Sequence, residues 1–202
     1  NYTVSYNQNQ NNKVTLNRND AIPEKYDLPV DSLTNNFRYN IFSNTPNIGV
    51  QYYKKNIAIT ARMASSLISY KQINYTKATQ RSYSYVNYNP VFSVKYSKNN
   101  MNSLSFGYEG KSSAPSLEQL QPTIVNTDPL NLRIGNPGLN PAFLHDFNLN
   151  YQSFKTKGFR RLNFFLQYSV AQNFFTNSAL IENNITINQT VNTHGVYSYS
   201  IG

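Results

Sequence analysis

The stretch Ser103-Leu104-Ser105-Phe106-Gly107-Tyr108-Glu109 decides the fold of this chain. Its large apolar residues occupy every second position, and small or polar residues lie between them. Successive side chains of a β-strand point to opposite faces of a sheet, so the pattern predicts a strand with one apolar and one polar face. The same alternation recurs along most of the chain and predicts about eight strands of an all-β, antiparallel sheet. We predict these strands over residues 1–6, 37–52, 57–67, 86–96, 103–109, 143–151, 161–170 and 191–201.

The connections between the predicted strands are of two kinds. Three are short turns, at Lys54-Lys55-Asn56, Lys98-Asn99-Asn100 and Thr156-Lys157-Gly158. The others are longer and polar, and the largest are the predicted loops 7–36 and 113–142. Long extracellular loops and short periplasmic turns are typical of outer-membrane barrels, so we predict an up-and-down transmembrane β-barrel. Loops of medium length are predicted over residues 72–81 and 175–183.

The composition fits a barrel better than a conventional soluble core. The chain has 17 Tyr and 12 Phe but no Trp or Cys, and its formal net charge is +9. The mean hydropathy is −0.56, which does not exclude a membrane protein, because a barrel strand turns only every second residue toward lipid. The absence of cysteine excludes thiolate nucleophiles and cysteine metal sites. Because the basic residues are scattered, we expect no nucleic-acid partner. We also expect no cofactor.

Two prolines interrupt the predicted strands. The apolar phase changes between Tyr39 and Ile48, on either side of Pro46, which predicts a β-bulge that restores the facing. Pro90 lies inside another strand, and proline cannot donate a ladder hydrogen bond. We therefore predict a bulge or a break in pairing at Pro90.

Charged residues that alternate with the apolar positions are expected to face the lumen. An Arg or Lys on the lipid face near the bilayer midplane costs about 2 to 4 kcal/mol, so the lumen is favoured. These positions are candidates for contact with a ligand or with a plug domain: Arg62, Lys95, Glu109, Asp146 and Arg161.

His145 lies next to Asp146 and invites a catalytic interpretation. Adjacent strand residues point to opposite faces, however, so the two side chains are not expected to form a hydrogen-bonded dyad. His194 is predicted to lie alone in the last strand, and two distant histidines do not give a metal-binding spacing. We expect that the chain is not an enzyme and binds no metal.

The long loop 113–142 contains two distinctive segments. The first is Ala114-Pro115-Ser116-Leu117-Glu118-Gln119-Leu120-Gln121-Pro122, and the second is Gly135-Asn136-Pro137-Gly138-Leu139-Asn140-Pro141. Proline fixes φ and glycine permits positive φ, so the prolines and glycines are expected to shape the loop. The residues assigned to loop shaping are Pro115, Gly135, Pro137, Gly138 and Pro141, whereas Arg133 and Asn136 are candidates for ligand contact.

These segments resemble the TonB-dependent receptor barrels, in particular the outer-membrane β-barrel family in which a Pro-Ser-Leu-x-Gln-Leu-like segment precedes Gly-Asn-Pro-x-Leu-x-Pro. The resemblance is most specific over residues 107–151. It implies a barrel of about 22 strands closed by a plug domain, which imports a siderophore, cobalamin, a glycan or a peptide. Residues 1–202 would then be a carboxyl-side barrel segment without the plug and the TonB box.

The resemblance also implies a location and partners. The location is the outer membrane of a Gram-negative bacterium. The partners are outer-membrane lipid and lipopolysaccharide, the plug and TonB through the rest of the parent chain, and a surface lipoprotein. Two alternatives stay open, namely a non-transporting barrel that acts as an assembly or secretion scaffold and a surface β-adhesin.

Overall fold

A computed structural model describes residues 2–14, 16–19, 21–22, 25–29, 35–76, 78–99, 101–120, 125–128, 130–155, 157–182 and 184–202. Nearly all of these residues are in strands, and the helix among them has four residues. Among the described residues, no helix is both long and apolar enough to cross a bilayer. The elements are β1 (Tyr2–Lys13), β2 (Leu16–Arg18), β3 (Tyr26–Pro29), β4 (Asn35–Lys54), β5 (Ile57–Asn74), β6 (Thr79–Asn99), β7 (Asn102–Ser113), α1 (Leu117–Leu120), β8 (Val125–Asp128), β9 (Asn131–Ile134), β10 (Ala142–Lys155), β11 (Arg160–Gln172), β12 (Phe174–Glu182), β13 (Ile185–Thr193) and β14 (Val196–Ile201).

Eight strands form one antiparallel sheet in the order β1-β4-β5-β6-β7-β10-β11-β14. Each of these strands pairs with the next of the eight along the chain, which is the up-and-down arrangement. The predicted fold class is therefore confirmed. We call this sheet the wall. The connections between wall strands contain a second sheet, β12-β13-β9-β8, and the hairpin β2-β3.

Both predicted boundaries of the loop 7–36 are wrong. The Asn/Gln-rich tract continues β1 as far as Lys13, and β1 pairs with β4 from Tyr2↔Pro46 to Lys13↔Asn35. Polar residues on both faces of this part of the strand are compatible with pairing, because the partner strand satisfies the backbone groups whatever the side chains are. The connection between β1 and β4 also contains the short hairpin β2-β3.

Three further elements differ from the prediction. The loop predicted over 72–81 is replaced by a tight connection, because β5 continues to Asn74 and β6 begins at Thr79. The loop predicted over 175–183 is instead the strand β12, which pairs with β13. The predicted last strand is two strands, and His194 lies between them rather than in a strand. Alternation alone does not show where pairing changes from one sheet to another.

The two prolines have different outcomes. The register between β4 and β5 is the same on both sides of Pro46, so the predicted bulge is absent. Tyr39 and Ile48 consequently face opposite sides of the strand, and Tyr39 is buried while Ile48 is 75% exposed. The apolar face of β4 thus changes sides. At Pro90 the predicted break occurs on one side only, because the ladder between β6 and β7 begins at Val91↔Glu109 whereas the ladder between β5 and β6 runs through Met63↔Pro90.

The wall has one apolar and one polar face. The register joins an aromatic row across five strands, and the ring centroids of Tyr108 and Phe147 are 5.0 Å apart. Much of the apolar face is exposed, and the buried apolar residues of the described chain are few. A sheet that leaves this much apolar surface uncovered requires a lipid environment or a partner. The aromatic row consists of Phe92, Tyr108, Phe147, Tyr168 and Tyr199.

Candidate functional site

The charged candidates of the wall lie on its polar face, as the alternation predicts. Arg62 is opposite Val91, Val91 is opposite Glu109, and Glu109 is opposite Asp146. These residues form one row across four neighbouring strands. Lys95, opposite Ser105, lies on the same face nearer the short turns. Arg161, opposite Phe154, is on this face close to the start of β11.

Glu109 and Asp146 form a cross-strand pair of carboxylates. The Ser169 hydroxyl donates a hydrogen bond to Oδ1 of Asp146, whereas the Glu109 side chain is exposed. Like charges that lie directly opposite each other destabilise a sheet, so this pair is an unfavourable arrangement that another charged group can relieve. In the part of the chain that the structure describes, no group of three His, Cys, Asp or Glu residues could hold a metal ion.

His145 lies on the apolar face, away from Asp146. Its Nδ1 is hydrogen-bonded to the Tyr108 hydroxyl at 3.1 Å, and its ring centroid is 4.5 Å from that of Phe143. Asp146 bonds Ser169 on the other face. The two adjacent residues therefore do not form a dyad, as their alternation predicts.

The first loop segment folds as a capped turn of helix. The Gln119 N–H donates to Oγ of Ser116 at 3.2 Å, and the Ser116 N–H donates to Oε1 of Gln119 at 2.9 Å. This reciprocal pair is a capping box, which satisfies amides that the start of a helix leaves without partners. Pro115 and Leu120, on either side of the box, are fully buried. The segment Pro-Ser-Leu-x-Gln-Leu thus contains a capping box, with a buried apolar residue on either side of it.

The second loop segment is organised around Asn136. Its N–H donates to the Gln119 carbonyl at 2.5 Å, and its Nδ2 donates to the Thr190 carbonyl at 3.1 Å. Its Oδ1 accepts the Gly138 N–H at 2.9 Å, and a Cβ at Gly138 would lie only 3.2 Å from that oxygen. Asn136 therefore connects three parts of the loop region through its own bonds.

Neither Gly135 nor Gly138 uses the positive φ that glycine permits. The described glycines with positive φ are Gly158 and Gly195, and neither belongs to this segment. A side chain at Gly138 would crowd Oδ1 of Asn136. Gly135 uses its carbonyl, which accepts a bond from Gln189 Nε2 at 3.5 Å.

Asn192, near the carboxyl end of β13, connects this strand to the second loop segment. Its Nδ2 donates to the carbonyls of Asn140, at 3.0 Å, and Asn173, at 2.7 Å. Its Oδ1 accepts the Asn140 N–H at 2.8 Å. Nearby, Asn173 Nδ2 donates to the Pro141 carbonyl at 3.3 Å. Residues from three separate parts of the sequence thus meet at the start of β10.

The loop segment and the hairpin β12-β13 also share a sheet. β9 pairs with β13 in parallel from Asn131↔Thr186 to Ile134↔Gln189. Arg133 lies within this pairing, opposite Asn188, and its side chain is exposed. We call this four-stranded assembly the loop sheet. Arg133 and Asn136 therefore belong to the loop region, whereas the other five candidates belong to the wall.

Four amide residues of this region were missed by the sequence reasoning. Asn is abundant throughout the chain, so single asparagines at distant positions give no signal. Asn140 could have been suspected because it lies inside the second loop segment. The residues that were missed are Asn140, Asn173, Gln189 and Asn192.

A separate charged cluster lies in the hairpin β2-β3. Lys25 Nζ and Asp27 Oδ2 form an ion pair at 2.9 Å, and Asn19 Nδ2 donates to Asp27 Oδ1 at 2.8 Å. The bond from Lys25, followed by that from Asn19, lowers the pKa of the Asp27 carboxyl from its ordinary value of 3.8. Both partners stabilise the charged carboxylate.

The meandering wall, with its aromatic face and its polar face, defines an outer-membrane β-barrel protein. The family model described as "Outer membrane protein beta-barrel family" matches residues 1–202. The chain therefore belongs to this family. A search of curated proteins gives no significant match.

Proposed function

We propose that the chain supplies wall strands and extracellular loops of a TonB-dependent outer-membrane receptor that imports a scarce nutrient. The observation that carries the proposal is the part of the polar face in β7, β10 and β11 that is left open, whereas the same face in β5 and β6 includes the buried residues Gln72, Asn74 and Asn87. The side chains of Glu109, Asn148 and Gln167 on this face are exposed. An eight-stranded barrel that closes on itself fills its interior with side chains. A face left accessible fits a wider barrel with space for a plug and for a passing ligand.

The edges of the wall support the same proposal. Within the described residues, β1 pairs with β4 alone and β14 pairs with β11 alone in this sheet. Unpaired edges do not occur in lipid, because each unsatisfied backbone group costs several kcal/mol. Further strands beside β1 and β14 would satisfy these edges and widen the barrel toward the size of a plugged transporter.

The charged residues of the polar face have a role in this proposal. Arg62, Lys95, Glu109, Asp146 and Arg161 contact the plug or the ligand as it passes. The carboxylates of Glu109 and Asp146 attract a cationic group of the plug, which relieves their mutual repulsion.

The loop region and the surroundings of the barrel complete the proposal. Arg133 and Asn136 contribute to ligand capture at the extracellular side. The protein is located in the outer membrane of a Gram-negative bacterium, among lipid and lipopolysaccharide. TonB and a surface lipoprotein are its protein partners, and the protein is neither an enzyme nor a nucleic-acid-binding protein.

Uptake in the native bacterium tests the proposal. Strains that lack this protein, or TonB, are grown with one scarce nutrient at a time, namely an iron siderophore, cobalamin, a glycan or a peptide. We expect both deletions to abolish uptake of the same nutrient and the intact gene to restore it. Uptake of every nutrient at the wild-type rate in both deletion strains would reject import. Loss of other outer-membrane proteins in the first strain would instead favour the assembly scaffold.

A further inference from the structure

The hairpin β12-β13 leaves the wall through two sharp bends. Asn173, with φ of 51°, lies between β11 and β12, and Gly195, with φ of 76°, lies between β13 and β14. Positive φ is uncommon for residues other than glycine and changes the direction of the chain abruptly. The hairpin therefore belongs to the loop sheet, although both of its ends join wall strands.

The hairpin is better connected internally than to its neighbour. β12 and β13 pair over nine positions, from Phe174↔Thr193 to Glu182↔Ile185. β13 and β9 pair over only four positions, in parallel, and parallel pairing is slightly less stable per residue. The boundary between the hairpin and the loop segment 130–141 is therefore weaker than the pairing inside the hairpin.

Side-chain amides hold this boundary closed. Asn192 uses both hydrogens of its Nδ2 and its Oδ1 in bonds to backbone groups of Asn140 and Asn173. Asn136 adds a bond to the Thr190 carbonyl, and Gln189 adds one to the Gly135 carbonyl. Water can replace each of these bonds at a net cost of about 0.5 to 1.5 kcal/mol, so the boundary is of a kind that can open and close again.

We propose that the hairpin β12-β13 is a lid that closes against the loop segment 130–141. Asn173 and Gly195 are its two bends, and Asn192 is the residue that holds it shut. The structure has the lid in its closed position. That the lid controls entry into a transport path rests on the proposed import function, but the motion of the lid does not.

Spin-label distances measure the position of the lid directly. The chain has no cysteine, so Glu118→Cys in α1 and Ala179→Cys in β12 place one label on each side of the boundary. Both native side chains are exposed. Pulsed electron paramagnetic resonance on the whole protein in lipid bilayers then gives the distribution of distances between the labels. We expect one main distance, and a longer second distance whose population rises about tenfold when Asn192→Ala is added.

Two further variants make the test specific. Asn136→Ala removes a bond to the hairpin from the loop side and should populate the same longer distance. Asn177→Ala is the matched control, because it removes an amide whose Oδ1 accepts a 3.5 Å bond from Thr190 Oγ1 within the hairpin. It should leave the distribution unchanged. Heat-dependent mobility in detergent gels verifies that each variant is folded. If Asn192→Ala does not fold, the comparison with the labelled parent is made with Asn136→Ala alone.

Either of two results would overturn the proposal that the hairpin is a lid. One is that Asn192→Ala and Asn136→Ala give distributions identical to that of the labelled parent. The other is that Asn177→Ala produces the same increase. The labels report position and not uptake, so failure of the import proposal in the growth assay would leave this result standing.

Discussion

Glu109 and Asp146 lie directly opposite each other on β7 and β10, with both carboxylates on the polar face of the wall. Neighbouring strands that carry opposed like charges lose stability. The chain nevertheless places the pair in the row that also contains Arg62. In the proposed receptor the pair is an attachment point for a cationic group from outside the wall.

Removal of one charge from this pair should stabilise the wall. We expect Glu109→Gln to increase the free energy of unfolding by about 0.2 to 1 kcal/mol, because it removes the repulsion and keeps the shape of the side chain. Urea unfolding of the protein in lipid vesicles measures the change. Glu118→Gln in α1 is the control and should have no effect. A lower stability in Glu109→Gln would show that another group already compensates the pair.

A charge on the aromatic row should destabilise the protein strongly. We expect Tyr168→Lys to cost about 2 to 4 kcal/mol, because its side chain is on the face assigned to lipid. Gln167→Lys is the matched control at the adjacent position, on the polar face, and should cost little. Folding yields and urea midpoints in bilayers compare the two variants. Equal losses in both would contradict the assignment of the faces.

The capping box should protect one backbone amide. Ser116→Ala removes the acceptor of the Gln119 N–H, and loss of a cap of this type costs about 1 kcal/mol. We therefore expect that amide to exchange its hydrogen about five times faster, as mass spectrometry of peptides covering α1 can measure. Ser116→Thr keeps a hydroxyl acceptor and should retain most of the protection. Unchanged exchange in Ser116→Ala would show that the cap does not limit local opening.

The pH dependence of the hairpin β2-β3 follows from Asp27. Its folded-state pKa lies below the unfolded value, so its contribution to stability is present above the unfolded pKa and is lost as the pH falls through the folded pKa. Lys25→Gln removes the main cause of the lowered pKa and should raise the pKa of Asp27 toward 3.8. Nuclear magnetic resonance titration of the carboxyl carbon measures both values. Lys54→Gln, at the end of β4, should leave the pKa of Asp27 unchanged.

Much of the wall could be predicted because its strands obey one local rule. In the segment 103–109, each side chain meets lipid or the lumen according to its parity, so the sequence alternates. The rule fails in the amino-terminal part of β4. There Phe37 and Tyr39 are buried on the polar face. In the sequence, this change of apolar face along β4 has the same pattern as a bulge at Pro46.

The loop region could be predicted only in part. The capping box follows from local spacing, since Ser116 and Gln119 are three residues apart. The contacts of Asn192 could not be predicted, because its partner Asn140 is 52 residues away. In a chain with many asparagines, the position of one asparagine in the sequence does not indicate a distant hydrogen-bond partner.

The sequence by itself determined the strand-forming pattern, the two faces of the wall and the family, because these depend on the alternation of neighbouring residues and on short motifs. Only the tertiary structure decided the register that sets Glu109 opposite Asp146, the division of the last strands between two sheets, and the amide bonds that join the loops. The physical reason is that these features arise from hydrogen bonds between backbone and amide groups, which every residue or many residues can supply. Their partners are chosen by the geometry of the folded chain.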